Sequence, residues 1–285
     1  MQMTQHTGDI VISMRNSSIG YDDRPAVIGL NLVIRAGEVV ALVGPNGSGK
    51  STLVRGLLGL TPVLSGQIEL FGTRADRFSQ RYRIGYVPQR HTVGGAIPST
   101  VDEVVSSGRL ARRRWFARPT VQDRAAVADA IQAVGLADHR RAAVSALSGG
   151  QQRRALIARA LASQPDVLIM DEPTAGVDVV NQAGLVHTLS ELVGRGLTLL
   201  IVTHEIDALL PMLTRVIALD GGRLVHDGTA REAVRLDGHA FFGGGHAGHD
   251  PEHEAPVPQA QRNRRDEPAG SGSGSNWLGH PGVDR

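Results

Sequence analysis

The stretch Gly44-Pro45-Asn46-Gly47-Ser48-Gly49-Lys50-Ser51-Thr52 constrains this chain more than any other. An apolar run, Val39 to Val43, leads into it, and a helical pattern through Leu53, Leu57 and Leu58 leads out. A strand, a glycine-rich turn and a helix in that order make a phosphate-binding loop. Glycines let successive backbone N–H groups turn inward as a concave anion site, and the helix start adds the positive end of its dipole. Lys50 supplies a mobile point charge for β- and γ-phosphates, and Ser51 a hydroxyl ligand for Mg²⁺. Lys50 is the only lysine in the chain; every other Lys/Arg position holds arginine. The position therefore asks for something arginine's planar fork does not provide.

With 285 residues, 41% of them hydrophobic and 20% charged, the chain has room for one large domain or two modest ones around an apolar core. No apolar run approaches the roughly 18–20 residues that span a bilayer. Met1 to Gly8 is polar and has no apolar signal segment. The absence of cysteine excludes disulfides and thiolate metal sites and fits a reducing compartment, so the expected location is cytoplasmic. Thirty basic residues against 28 acidic ones leave a net charge of +2, which argues for no nucleic-acid partner.

Along the chain, Ile10-Val11-Ile12 and Leu30 to Ile34 alternate as strands do, with a polar Gly20 to Pro25 turn between them. Tyr21 falls in that turn, either as a platform for a purine ring or as an ordinary surface tyrosine. Gln67 to Gly72 and Ile84 to Pro88 read as further strands. Gln89 ends the second, and its amide oxygen can coordinate Mg²⁺ or a water. From 90 to 163 helical patterns take over, at Val101–Ser107, Val121–Val134 and Gln151–Ala162, which reads as a helical insert in an α/β core. A basic, aromatic loop, Arg112 to Pro119, contains Trp115 and Phe116 and is either solvated or a contact surface. Leu147-Ser148-Gly149-Gly150-Gln151 precedes the third helix. It can be an N-cap turn, or a second anion site built from backbone amides and a hydroxyl.

Val167 to Met170 is a continuous apolar run, suited to a parallel strand buried on both faces. Asp171 and Glu172 follow at its carboxyl end, where open α/β sheets place ligands. Adjacent acids there are costly unless a cation or a proton transfer uses them. Asp171 fits a holder of Mg²⁺, and Glu172 a base that aligns attacking water. A helix over Asn181–Val193 and a strand over Leu197–Thr203 come next, with His204 at the strand's end, able to hydrogen-bond a γ-phosphate. Val216–Leu219 and Arg223–His226 read as a closing hairpin around Asp220-Gly221-Gly222. The tail, 239–285, is rich in Gly, His and Pro and has no core-forming pattern, so disorder is expected. In it His246, His249 and His253 alternate with Asp250, Glu252 and Glu254, either a loose site for Zn²⁺ or a solvated polar tail.

Together these motifs resemble the ATP-binding subunit of an ATP-binding cassette (ABC) transporter, over residues 9–238. The most specific element is the Leu147–Gln151 stretch, which other phosphate-loop ATPases and GTPases lack. The resemblance implies an α/β fold: a P-loop (RecA-like) ATPase core with an antiparallel β subdomain and a helical insert, about 90–163, that bears the ABC signature. It implies ATP and Mg²⁺ as cofactors. Tyr21 should stack on adenine, Gly44 to Thr52 cradle the triphosphate, and Gln89 touch Mg²⁺ and relay the site's state to a membrane partner. Glu172 should be the catalytic base, with His204 reading the γ-phosphate. Asp178, in Ala175-Gly176-Val177-Asp178, should lie on the loop that crosses to the other subunit, with Val177 where leucine is commoner. Ser148, Gly149, Gly150 and Gln151 should face ATP held by a second copy of the chain.

Within the family the chain is similar to metal-ion importers of the zinc and manganese type, through Val87-Pro88-Gln89-Arg90, Trp115-Phe116 before Arg118-Pro119, and Ala175 to Asp178. After Arg90 those importers often carry Asp-Trp, where this chain has His91-Thr92-Val93-Gly94-Gly95. The implied partners are a second copy of itself, a multi-span permease at the inner face of the cell membrane, and an extracytoplasmic metal-binding protein. Three other readings stay open: an ABC ATPase for a different solute, a non-transport ABC ATPase, and a metal-buffering protein whose working end is the tail.

Overall fold

The computed structural model describes residues 8–89, 99–113, 117–174 and 179–235. The tail and its histidines, the 90–98 stretch, Trp115 and Phe116, and the loop containing Asp178 lie outside the described residues.

The chain begins with two long antiparallel strands, β1 (Ile10–Tyr21) and β2 (Arg24–Arg35). Then come β3 (Val39–Val43), α1 (Lys50–Leu57), β4 (Val63–Leu70), the short β5 (Thr73–Arg74) and β6 (Ile84–Val87). Three helices form the insert: α2 (Val101–Ser107), α3 (Val121–Ala133) and α4 (Gly149–Ala162). The chain returns to β7 (Val167–Asp171), α5 (Val179–Gly194), β8 (Thr198–Val202), the hairpin β9 (Arg215–Asp220) and β10 (Arg223–Gly228), and α6 (Ala230–Arg235).

Two sheets result. One is antiparallel, in the order β2-β1-β4-β5; the other runs β10-β9-β3-β8-β7-β6, parallel throughout except for the antiparallel edge strand β10. The continuous apolar runs follow from burial of the second sheet on both faces. Successive side chains point to opposite sides. Val39, Ala41 and Val43 therefore pack with Leu168, Met170, Leu199 and Ile201 against the helical insert and α5. Val40 and Leu42 join Ile169, Leu200 and Val202 against α1 and the antiparallel sheet.

The opening strands differ from the sequence expectation. The polar run Arg15 to Ser18 stays in β1 because register shifts between Met14 and Ser17 absorb it, with Asn16 at φ 44°. The turn is only Asp22-Asp23, both left-handed, as a two-residue hairpin of matching twist requires. Tyr21 is therefore the last residue of β1, paired with Arg24, and not a turn residue.

Candidate functional site

The parallel strands β3, β8, β7 and β6 are neighbours, so their carboxyl ends form one edge. Four chemically distinct groups come to that edge: the loop after β3, His204 after β8, Asp171 and Glu172 at the end of β7, and Gln89 after β6. Open α/β sheets bind ligands at such an edge.

The loop's shape depends on glycine at two places. Gly44 has φ +142°, and a Cβ there would lie 2.1 Å from the Leu219 carbonyl oxygen. Gly49, at φ +101°, would meet the Ala26 carbonyl oxygen at 2.6 Å. The loop is wedged between β9 and β2, and the hairpin turn after β9 closes it: the Gly222 N–H donates to Ser48 O (3.1 Å), while the Ile28 N–H donates to Gly222 O (2.8 Å). Pro45, Asn46 and Gly47 are exposed on the outer side. Lys50 opens α1 and curls back, its Nζ donating to Gly44 O (2.7 Å) and Pro45 O (2.9 Å). Burial pulls its pKa down, while the nearby Glu172 and Asp171 carboxylates favour the charged form. Ser51 is exposed and Thr52 half-buried in the first turn.

Glu172 sits at the centre of the edge. Its carboxylate accepts from the Gln89 amide nitrogen on one side and pairs with His204 Nδ1 at 3.3 Å on the other. A carboxylate only accepts, so in this pair Nδ1 carries the hydrogen. Glu172 is 18% exposed and His204 51%. The Glu172 backbone is left-handed (φ 46°), a conformation that costs a non-glycine residue about 1–2 kcal/mol. It is held by a hydrogen bond from its N–H to Val202 O (2.7 Å) and by one to its carbonyl from Arg153 (2.7 Å). Asp171 is half-buried, and burial and the Glu172 charge push its pKa above the usual 3.8, with Arg153, Lys50 and Arg55 pulling the other way. A half-buried Asp171 beside the Glu172 charge makes a place for an incoming cation.

The third helix of the insert starts as its sequence implies. Ser148 is the N-cap of α4, with its Oγ accepting from the Gln151 N–H (3.3 Å) and the Gln151 side chain returning to the Ser148 N–H (3.0 Å). Ser148 and Gly149 are exposed, Gly150 half-buried, and nothing lies within 4 Å of a Cβ built at Gly149. Among the described residues, no hydrogen bond of Ser148 reaches the phosphate loop; its bonds stay within its own turn. Tyr21 is 49% exposed and its hydroxyl meets Thr61 Oγ1 at 2.7 Å.

Arg153, one turn into α4, was not legible as a site residue. Its guanidinium reaches Pro88 O, Gln89 O, Asp171 O and Glu172 O at 3.2, 3.1, 2.9 and 2.7 Å. Its acceptors are backbone carbonyls, which every residue has, so no sequence pattern marks it. Among the described residues, no group of three His, Cys, Asp or Glu side chains could hold a metal ion by itself.

The sequence pattern of the ABC transporter family matches residues 27–175. The zinc uptake system ATP-binding protein ZurA of Listeria innocua is 39% identical over 224 residues, which cover 78% of this chain and 87% of that protein. The manganese transport system ATP-binding protein MntB of Bacillus subtilis is 39% identical over 195 residues, 68% of this chain and 77% of that one. Among solved structures, cbiO1 of Clostridium perfringens, part of the ABC transporter complex cbiONQ, superposes with a TM-score of 0.71 at 30% identity, over 80% of this chain and 91% of that chain.

Proposed function

The chain belongs to the ABC transporter family as an ATP-binding, ATP-hydrolysing subunit, and from that premise we propose that it powers import of a divalent metal ion, zinc or manganese. The cargo reading is supported by the names of the relatives, which are zinc and manganese systems. No described helix is long and apolar enough to cross a membrane, so a separate multi-span permease carries the ion. This subunit then docks at the membrane's inner face, and an extracytoplasmic metal-binding protein delivers the cargo. The cassette comprises 9–238, with the insert at about 90–163.

The observation that carries the hydrolytic assignment is Glu172 held between Gln89 and His204 at the edge shared with the phosphate loop. The loop amides and Lys50 take the β- and γ-phosphates, and Lys50 exchanges its two loop carbonyls for phosphate oxygens. Tyr21 offers its exposed ring to adenine. Glu172 orients a water towards the γ-phosphorus and accepts its proton as the new P–O bond forms and the bond to the β-phosphate oxygen breaks. His204 donates to the γ-phosphate. The residues present fit Mg²⁺: the exposed Ser51 hydroxyl, the Gln89 amide oxygen and the burial-strained Asp171 carboxylate supply hard oxygen ligands. Bound there, Mg²⁺ would neutralise phosphate charge.

Ser148, Gly149, Gly150 and Gln151 complete the ATP site of a second copy, as does Asp178. The exposure of the Ser148–Gly149 turn, and the described hydrogen bonds of Ser148 staying within that turn, support that reading. Two copies related by a two-fold axis then enclose two ATP molecules, and hydrolysis removes the contact that favours closure.

Glu172→Gln tests the assignment. Its kcat for ATP falls by about 10²–10⁴ while ATP binding persists; wild-type turnover would remove Glu172 as the base. Uptake of Zn²⁺ and Mn²⁺ by cells that depend on this chain should fail with the same substitution. Intact metal uptake alongside loss of a different solute would reassign the cargo.

A further inference from the structure

The pairing of β6 with β7 ends at Val87 opposite Met170. Beyond that point no further pairing of the two strands follows, yet Gln89 and Glu172, two residues on, are the ones whose side chains meet. The carbonyls at this frayed end are those of Pro88, Gln89, Asp171 and Glu172, and all four accept from one guanidinium. Arg153 Nη1 donates to Pro88 O and Gln89 O, and Nη2 to Asp171 O and Glu172 O. A guanidinium carries four Nη hydrogens, so each has one acceptor. Nε, buried, has no hydrogen-bond partner among the described residues.

We infer that Arg153 is the positioning residue of the hydrolytic edge: it locks the Glu172 and Gln89 backbones to each other and to the turn that opens α4. Three observations carry this. The bond to Glu172 O fixes the peptide that follows a left-handed residue, and so the direction in which its carboxylate leaves the strand. Among the described residues the guanidinium takes no carboxylate oxygen; burial lowers its pKa, and the nearby Asp171 and Glu172 charges only partly offset that. It therefore orients peptides and leaves both acids free for the site. Finally, Arg153 shares the start of α4 with Ser148, so the exposed turn and the base move as one piece. The inference rests on the assignment of Glu172 as base.

The test uses the full chain with MgATP and a graded series. Glutamine can replace at most two of the four donors and lysine three. Arg153→Gln lowers kcat about 100-fold, as a misplacement of about 1 Å does, and leaves KM for ATP unchanged because the four Arg153 bonds go to carbonyls of the β6 and β7 ends and not to the phosphate loop. Arg153→Lys gives an intermediate kcat, again at unchanged KM. In a Glu172→Gln background the Arg153→Gln change adds no further loss, because the group it positions is already gone. Full kcat in the lysine variant, which keeps most of the bonds should the glutamine variant not fold, overturns the inference. So does a KM that rises in step with the loss of kcat, or a loss that multiplies in the Glu172→Gln background. If Glu172→Gln itself turns over at the wild-type rate, the base assignment falls and the inference with it. If Glu172→Gln is inactive and Arg153→Gln is not, the inference alone falls.

Discussion

Two arginines, Arg109 buried and Arg153 half-buried, bracket α4 and do opposite things. At its carboxyl end Arg109 donates to the Asp123 carboxylate at 2.8 Å, with side chains 8% and 9% exposed, and to Ala162 O at 2.9 Å and Gln164 Oε1 at 3.3 Å. Charge meets charge, and the remaining donors cap the helix. At the amino end, among the described residues, Arg153 takes only carbonyls and makes no ion pair with the side chains of Asp171 and Glu172. The far end of the helix is complete within one chain. The near end leaves its first turn open to solvent, as the proposed ATP site shared with a second copy requires.

Breaking the self-contained end should have the largest effect on stability. Asp123→Ala leaves the Arg109 charge buried and unpaired and should cost about 3 kcal/mol in denaturant unfolding. A loss near zero would mean the pair is no more than a surface contact. At the open end, Lys50→Ala should instead weaken MgATP binding about 100-fold, roughly 2.7 kcal/mol, measured by calorimetry, with little change in unfolding. Comparable losses of stability from both substitutions would erase the contrast. Thr120→Ala removes the N-cap that shares Asp123 with Arg109, through a 3.1 Å bond to the Asp123 N–H, and should cost about 1 kcal/mol.

The smallest effect sharpens the comparison through pH. Asp123 is held down to about 2 by the Thr120 N–H and hydroxyl and by Arg109. A depressed carboxyl pKa contributes stability that is full above 3.8 and is lost as pH falls towards about 2. Asp171 has the opposite sign: its raised pKa means the folded chain binds that proton more tightly, so a penalty grows as pH rises from 3.8 through the folded value. Asp171→Asn should therefore raise the melting temperature of the nucleotide-free chain at pH 7 by about 2 °C. The gain should shrink towards pH 3.8. A drop at neutral pH would show Asp171 to be already compensated.

The open end was largely written in the sequence, and the closed end was not. Phosphate loops and capped turns need particular residue types at fixed offsets, so Gly44 to Thr52 and Ser148 to Gln151 announce themselves. The run Val167–Met170 reads as a doubly buried strand, and Val39–Val43 and Leu197–Thr203 as an apolar run and a strand, because few residues interrupt them. Arg109 and Asp123 lie 14 residues apart in polar surroundings that look solvated, and only the packing of α3 on α4 makes them a buried pair. Arg153 sits among Gln151-Gln152-Arg153-Arg154, where side chains of one character hide which of them turns inward. In β1 the run Arg15 to Ser18 breaks alternation, since a bulge moves the register without leaving a residue signal. The strand order that makes neighbours of β3 and β8 rests on contacts distant in sequence.

The central claim is that each ATP is enclosed between two copies, with Ser148 of one facing the phosphate loop of the other. Sedimentation of the Glu172→Gln chain with MgATP tests it most directly. The account predicts a monomer without nucleotide, a dimer with it, and a monomer again when Ser148→Arg is added. A Glu172→Gln chain that stays monomeric at saturating MgATP, or a dimer indifferent to Ser148, would contradict it.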